Sequence, residues 1–189
     1  MNQQEQKQTV NSKSILRLAL WGALGFGIGG VIAGALLIAF RGVSLWIIIG
    51  GLIIMGAIGG ASLGLVLYGW KRAWHLSLAG AIGMPLGCIA ALYFSWDLQL
   101  YWVAYLSWGT ILGASLGIAF WSWKGIWFLA LAGAIGFVLA WLIQWGLREW
   151  IPIETWAARD MMTFVTWGMV PGASLGAAIG YLEKRRQID

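Results

Sequence analysis

Residues 60–87 read GASLGLVLYGWKRAWHLSLAGAIGMPLG, and residues 113–140 read GASLGIAFWSWKGIWFLALAGAIGFVLA. Sixteen of these 28 aligned positions are identical, well beyond what a shared preference for apolar residues produces. GASLG occurs a third time at Gly172–Gly176. The offsets are regular. Ser62 to Ser115 and Gly80 to Gly133 are both 53 residues, and Ser115 to Ser174 is 59, the extra six fitting a longer loop. Gly22, Ala23 and Gly25 match Gly80, Ala81 and Gly83 at an offset of 58. Internal repetition on this scale marks a supersecondary unit used several times. The matched stretch joins two apolar runs, so the unit is a helical hairpin, and the chain holds three in tandem.

Outward from that match the whole chain has the same character. Of 189 residues, 60% are hydrophobic and 10% charged, with 28 glycines and 15 tryptophans. A soluble domain carries about 25% charged residues, so a water-exposed globule would lack the polar groups to cover itself. Disorder requires the opposite composition, and the glycines follow no collagen period. A polytopic membrane protein remains.

A bilayer core about 30 Å thick takes roughly 20 apolar residues of helix. Six stretches qualify: Ile15–Phe40, Ser44–Tyr68, Trp74–Phe94, Leu100–Trp121, Ile126–Leu147 and Met161–Leu182. The expected fold is an all-α polytopic membrane protein with six transmembrane helices. Its three parallel hairpin repeats span about 15–69, 70–122 and 123–182. A polar tail, 1–14, precedes the 15–182 membrane domain, and a basic tail, 183–189, follows. The first apolar run exceeds a signal peptide's 7–15 residue core and reads as a retained span. Each unit crosses twice, so all share one orientation, and a bundle with approximate threefold symmetry about the membrane normal is expected.

Lys and Arg set the sidedness. One side would hold Lys7, Lys13, Arg17, Lys71, Arg72, Lys124, Lys184, Arg185 and Arg186, the other Arg41, Arg148 and Arg159. Both termini are therefore expected in the cytoplasm. Trp70, Trp74, Trp121, Trp123 and Trp127 fall near the inner boundary, and Trp46, Trp96, Trp102, Trp145, Trp150 and Trp156 near the outer one. Amphipathic rings favour the headgroup level. The inner loops share W-K-x-x-W, formed by Trp70, Lys71, Trp74 and by Trp123, Lys124, Trp127. Lysine reaches lipid phosphate while tryptophan sits just below, so these six are expected to be anchors. In the outer loop, Pro152 is placed to open a short interfacial helix.

The even-numbered spans carry glycines every fourth residue: Gly56, Gly60, Gly64; Gly109, Gly113, Gly117; and Gly168, Gly172, Gly176, Gly180. That spacing puts them on one helix face, a glycine zipper along which another backbone can approach closely. Packing within the chain is the first use for such a face, and a second membrane protein the other.

Chemistry-bearing residues are scarce. No Asp, Glu, Lys or Arg lies at the centre of a span, which argues against ion-coupled transport. The sequence has no HExxH, CxxC or P-loop, and one histidine cannot build a multi-histidine metal site. GASLG superficially resembles the esterase GxSxG but lies inside an apolar helix without a basic partner. His75, at the inner end of the third span, reads as an interfacial polar residue, and Cys88 has no second cysteine to pair with. Pro85 and Pro171 interrupt the third and sixth spans, where the other units have Val138, Leu112 or Gly59. Such departures from the repeat are where a specific site could have been added.

Two functions fit. The first is a non-catalytic accessory, assembly or scaffold subunit of a larger membrane complex. The second is a passive channel or facilitator for a small neutral solute or lipid, with Ser62, Ser115 and Ser174 as a ring of hydroxyls. No cofactor, metal or nucleic-acid partner is expected. The expected partners are membrane lipids and either a membrane protein or further copies of the chain. A bacterial inner membrane is the expected location, and an internal photosynthetic membrane suits the tryptophan belts equally.

Overall fold

The computed structural model describes the backbone of residues 3–40, 44–96, 100–119, 123–150 and 156–186. It describes the side chains of 15–40, 44–70, 73–95, 100–119, 123–147 and 157–185. Several expected features fall outside these residues: the side chains of Lys71, Arg72, Trp96, Trp121, Trp150 and Trp156, and the interfacial helix at Pro152.

Six helices account for nearly all of it: α1 (Gln3–Ala39), α2 (Leu45–Tyr68), α3 (Trp70–Trp96), α4 (Tyr101–Ala119), α5 (Trp123–Trp150) and α6 (Trp156–Arg186). All six are long and apolar enough to cross a membrane. In an apolar surrounding every N–H and C=O must find its partner within the chain, and a helix supplies one for each. α1 runs back to Gln3 through polar residues expected to form a loose tail, and α6 opens at Trp156, before the expected Met161. Gly69, with φ of 68° and ψ of −172°, ends α2 where L side chains rarely fit, and its N–H bonds the Leu65 carbonyl.

Each helix packs on its neighbours in the chain, and α6 returns to α1 to close a ring. The α1–α6 seam is the most extensive of the six and α5–α6 the least. Ile15 lies against Gly180 and Gly34 against Met161, so α1 and α6 run antiparallel.

Two kinds of seam alternate around the ring. In the first, backbones touch. A side chain at Gly56 would collide with the Gly80 carbonyl and one at Gly80 with that of Gly56, which joins α2 to α3. Gly109 and Gly133 stand in the same relation between α4 and α5, and Gly172 and Gly22 between α6 and α1. In the second kind a serine takes part. Side chains at Gly25 and Gly83 would strike Ser62 and Ser115, and one at Gly136 would strike Pro171 and crowd Ser174. These seams join α1 to α2, α3 to α4 and α5 to α6.

The closing seam departs from the others. Gly60 meets Leu76 and Gly113 meets Leu129, but Gly172, the third GASLG glycine, meets Gly22 instead of Leu18. Leu18 is met by Gly176, and Ile15 by Gly180. Relative to the sequence match, α6 is shifted by four residues, about 6 Å of helix rise. α1 carries Gly30 and Gly34 where α3 has Cys88 and Leu92 and α5 has Trp141 and Trp145. Those two glycines receive Phe164 and Met161, which extends the contact towards the far end of α1.

Both kinds of helix bury large side chains fully: Phe26, Leu76, Met84, Leu129 and Phe137 on the odd ones, and Leu52, Leu63, Leu112, Leu116, Leu175 and Ile179 on the even ones. The exposed apolar side chains lie mainly on the odd helices: Leu16, Leu20, Leu24, Ile28, Val31 on α1; Trp74, Leu78, Ile82, Leu86, Ile89 on α3; Trp127, Leu131, Ile135, Leu139, Leu142 on α5. The same spacing recurs in each stripe, four, four, four and three residues, which keeps the stripe on one face of a helix with 3.6 residues per turn.

The seams make glycine substitutions unequal. Gly113→Ala drives a methyl group into the Leu129 carbonyl and should lower stability by about 1–3 kcal/mol. Gly50→Ala, with nothing nearby, should be neutral or gain up to about 1 kcal/mol. Gly180→Leu should destabilise as Gly113→Ala does, because the shifted register seats Gly180 on Ile15. Thermal unfolding in mild detergent, followed by circular dichroism, measures all three.

Candidate functional site

The serines come first, as the repeated polar set. Ser62 donates to the Trp21 carbonyl at 3.1 Å, Ser115 to Ala79 at 3.0 Å and Ser174 to Ala132 at 2.6 Å. Ser62 and Ser115 also reach the carbonyls of Gly59 and Leu112 on their own helices. Each hydroxyl thus ties an even helix to the odd helix before it. Such interhelical bonds contribute about 0.6 kcal/mol on average. Leu63, Leu116 and Leu175, one residue further along each helix, are completely buried.

Apart from Gly50, the glycines within the even helices lie against backbone or side chains of their own chain. The inner tryptophans lie outside. Trp70 is 83% exposed and Trp123 72%, and Trp74, Trp127 and Lys124 are exposed too. Trp123 meets Trp127 edge-on, while His75, exposed, stacks on Trp74. No group of three or more His, Cys, Asp or Glu that could hold a metal occurs among the described residues.

A cavity of about 120 Å³ opens among α3, α4 and α6. Cys88, Ala91, Leu92 and Ser95 of α3 form one wall, and Tyr101, Ala104, Tyr105 and Trp108 of α4 another. Trp167 of α6 completes it. Since α3 and α6 are not neighbours around the ring, the cavity lies inside the ring, towards the α3–α4 connection.

The aromatic rings beside it are ordered by their edges and faces. Trp108 stacks on Phe137 at 5.2 Å between centroids and meets Trp167 edge-to-face at the same distance. Tyr105 stacks on Trp141 and meets Trp167 edge-to-face, both at 5.7 Å. Each such pair contributes about 0.5–1.5 kcal/mol beyond area burial. The two indoles differ in one respect. The Trp108 N–H donates to the Met84 carbonyl at 3.0 Å. The Trp167 N–H is buried and has no partner among the described residues. Pro171, one turn on, has no N–H for the Trp167 carbonyl.

The least extensive seam, α5–α6, has a polar tie near this end. Gln144, buried, donates to the Thr163 hydroxyl, which donates to the Arg159 carbonyl. Gln144 stands where α3 has Ala91 and α1 has Ala33. In the sequence Pro171 stands out as a departure from the repeat, but nothing there brings it together with Cys88, Tyr105, Trp108, Trp167 and Gln144. Aligning the three units residue by residue would have pointed there, since most of these positions differ between units.

No family model matches the chain, no curated protein is similar to it, and no solved structure resembles it. Its functional reading therefore rests on its own residues.

Removing each indole N–H separates the two tryptophans. Trp108→Phe breaks a made bond and leaves the Met84 carbonyl short of a donor. It should cost about 1 kcal/mol more than Trp167→Phe, which removes an unpaired donor. Unfolding midpoints of the two variants, measured in the same detergent, check the order.

Proposed function

We propose that the chain is a non-catalytic integral membrane protein, an accessory, assembly or scaffold subunit of a larger membrane complex. Its three hairpins would be parallel repeats about an approximate threefold axis, held by glycine zippers, with both termini in the cytoplasm.

The observation that carries this reading is where the polar groups go. Ser62, Ser115, Ser174 and Trp108 all donate to backbone carbonyls within the bundle, and Leu63, Leu112, Leu116 and Leu175 pack the interior without exposure. A conducting path needs polar groups that face solute, and catalysis needs a positioned nucleophile, acid or base. What the bundle turns outward is three apolar stripes with exposed tryptophans near their ends. Such surfaces suit lipid and the transmembrane helices of a partner. The paired glycines support intramolecular packing, so a partner would meet the odd helices.

Native mass spectrometry of the tagged protein, extracted from its own membrane in mild detergent, tests the proposal. A stoichiometric membrane-protein partner is expected, released by substitutions along one outer stripe that leave the fold intact. A monomer or homo-oligomer that conducts water or glycerol in liposomes would overturn it in favour of a facilitator.

A further inference from the structure

We propose that the start of α5 and the end of α6 together form a binding site for one anionic phospholipid, its phosphate held between Lys124 and Arg185. The site is built on a pair of rings. Phe128 of α5 stacks on Tyr181 of α6 at 5.5 Å between centroids, and the Arg185 guanidinium lies over the same Tyr181 ring at 5.3 Å. Further along α5, Gly136 meets Pro171 and Ser174, which precede Tyr181 in α6, so the two helices run antiparallel. One turn outward from the stacked rings is therefore Lys124 on α5 and Arg185 on α6. They stand at one level, each on the face that its helix gives to the ring pair. Both side chains are exposed.

Charge selects the ligand. Among the described residues neither Lys124 nor Arg185 pairs with a carboxylate. Glu183 is the one acid whose side chain is described at this end, and it accepts a hydrogen bond from Tyr68 of α2. Two residues along a helix turn a side chain by about 200°, so Glu183 faces away from Tyr181 and leaves the two cations without a counter-charge. Lys184, half-buried beside them in the chain, adds a further positive charge. A guanidinium grips two oxygens of a phosphate in its planar fork, and a lysine ammonium adds a point charge. A headgroup of net negative charge gains from both. A phosphocholine headgroup brings its own ammonium to the same place and gains less.

The surface beneath the cations fits an acyl chain, which makes the phosphate a lipid's. Trp127, Leu131 and Ile135 are exposed and follow Lys124 at steps of three, four and four residues, down one side of α5. Lys124 is the last charged residue before the apolar run of α5, which sets it at the headgroup level with Trp127 just below. The site stands apart from the subunit reading, because it asks nothing of a protein partner.

Lipid titration read by native mass spectrometry tests the site. The full chain, stripped of lipid in mild detergent, is titrated with dioleoylphosphatidylglycerol and separately with dioleoylphosphatidylcholine, and the dissociation constants of the first adduct are compared. Phosphatidylglycerol should bind about tenfold more tightly. Lys124→Gln and Arg185→Gln should each weaken it about fivefold, the effect of one basic residue near a lipid surface, and leave phosphatidylcholine binding nearly unchanged. Arg185→Lys, which keeps the charge without the fork, should lose less than Arg185→Gln.

Arg17→Gln removes the same charge from the same end of the bundle, but from an exposed position on α1. It should leave phosphatidylglycerol binding as it is in the native chain, and inorganic phosphate in large excess should not displace the lipid. Circular dichroism should be the same for every variant, since all three positions are exposed. Equal affinity for the two lipids, or phosphatidylglycerol binding indifferent to both Lys124→Gln and Arg185→Gln, would overturn the proposal. So would an equal loss in Arg17→Gln, the mark of diffuse charge, or displacement by inorganic phosphate, the mark of a free-anion site.

Discussion

Backbone-to-backbone approach at paired glycines is the constraint on which the bundle depends. Lipid tails are as apolar as leucine, so burial of apolar side chains gives membrane helices little reason to associate. Association needs close contact and polar bonds. Gly56 with Gly80, Gly109 with Gly133 and Gly22 with Gly172 bring carbonyls within reach of the facing helix at three seams. At the other three, Ser62, Ser115 and Ser174 reach a neighbouring carbonyl. Every helix therefore has one glycine seam and one serine seam.

A glycine row with a period of four looks the same after a shift of one turn, so the row itself leaves the register open. The α6 row has four glycines where α2 and α4 have three. At α6–α1 the shifted register is taken, and Gly30 and Gly34 receive Phe164 and Met161. Seating α6 this far along α1 accompanies the least extensive seam on its other side, towards α5. The cavity beside Trp167 lies in the same region, as does the Gln144–Thr163 bond.

Much of the architecture was legible in the sequence. Apolar length identified the six helices. Membrane helices are apolar on every side, so hydrophobic periodicity could not say which face turns inward. Small residues could: the glycines mark the close seams between α2 and α3, α4 and α5, and α6 and α1. The helical continuation of α1 to Gln3 was missed because its polarity read as a tail, although Gln, Glu and Lys are good helix formers.

What the sequence by itself determined is the element count and the residues able to approach closely. Those follow from composition and spacing, which act locally along each helix. Ring closure between α1 and α6, its one-turn register, and the meeting of Cys88, Tyr105 and Trp167 around one cavity were decided only in three dimensions. They depend on how seams compete for the same helix, and a periodic row of glycines accepts more than one answer until all six helices are in place.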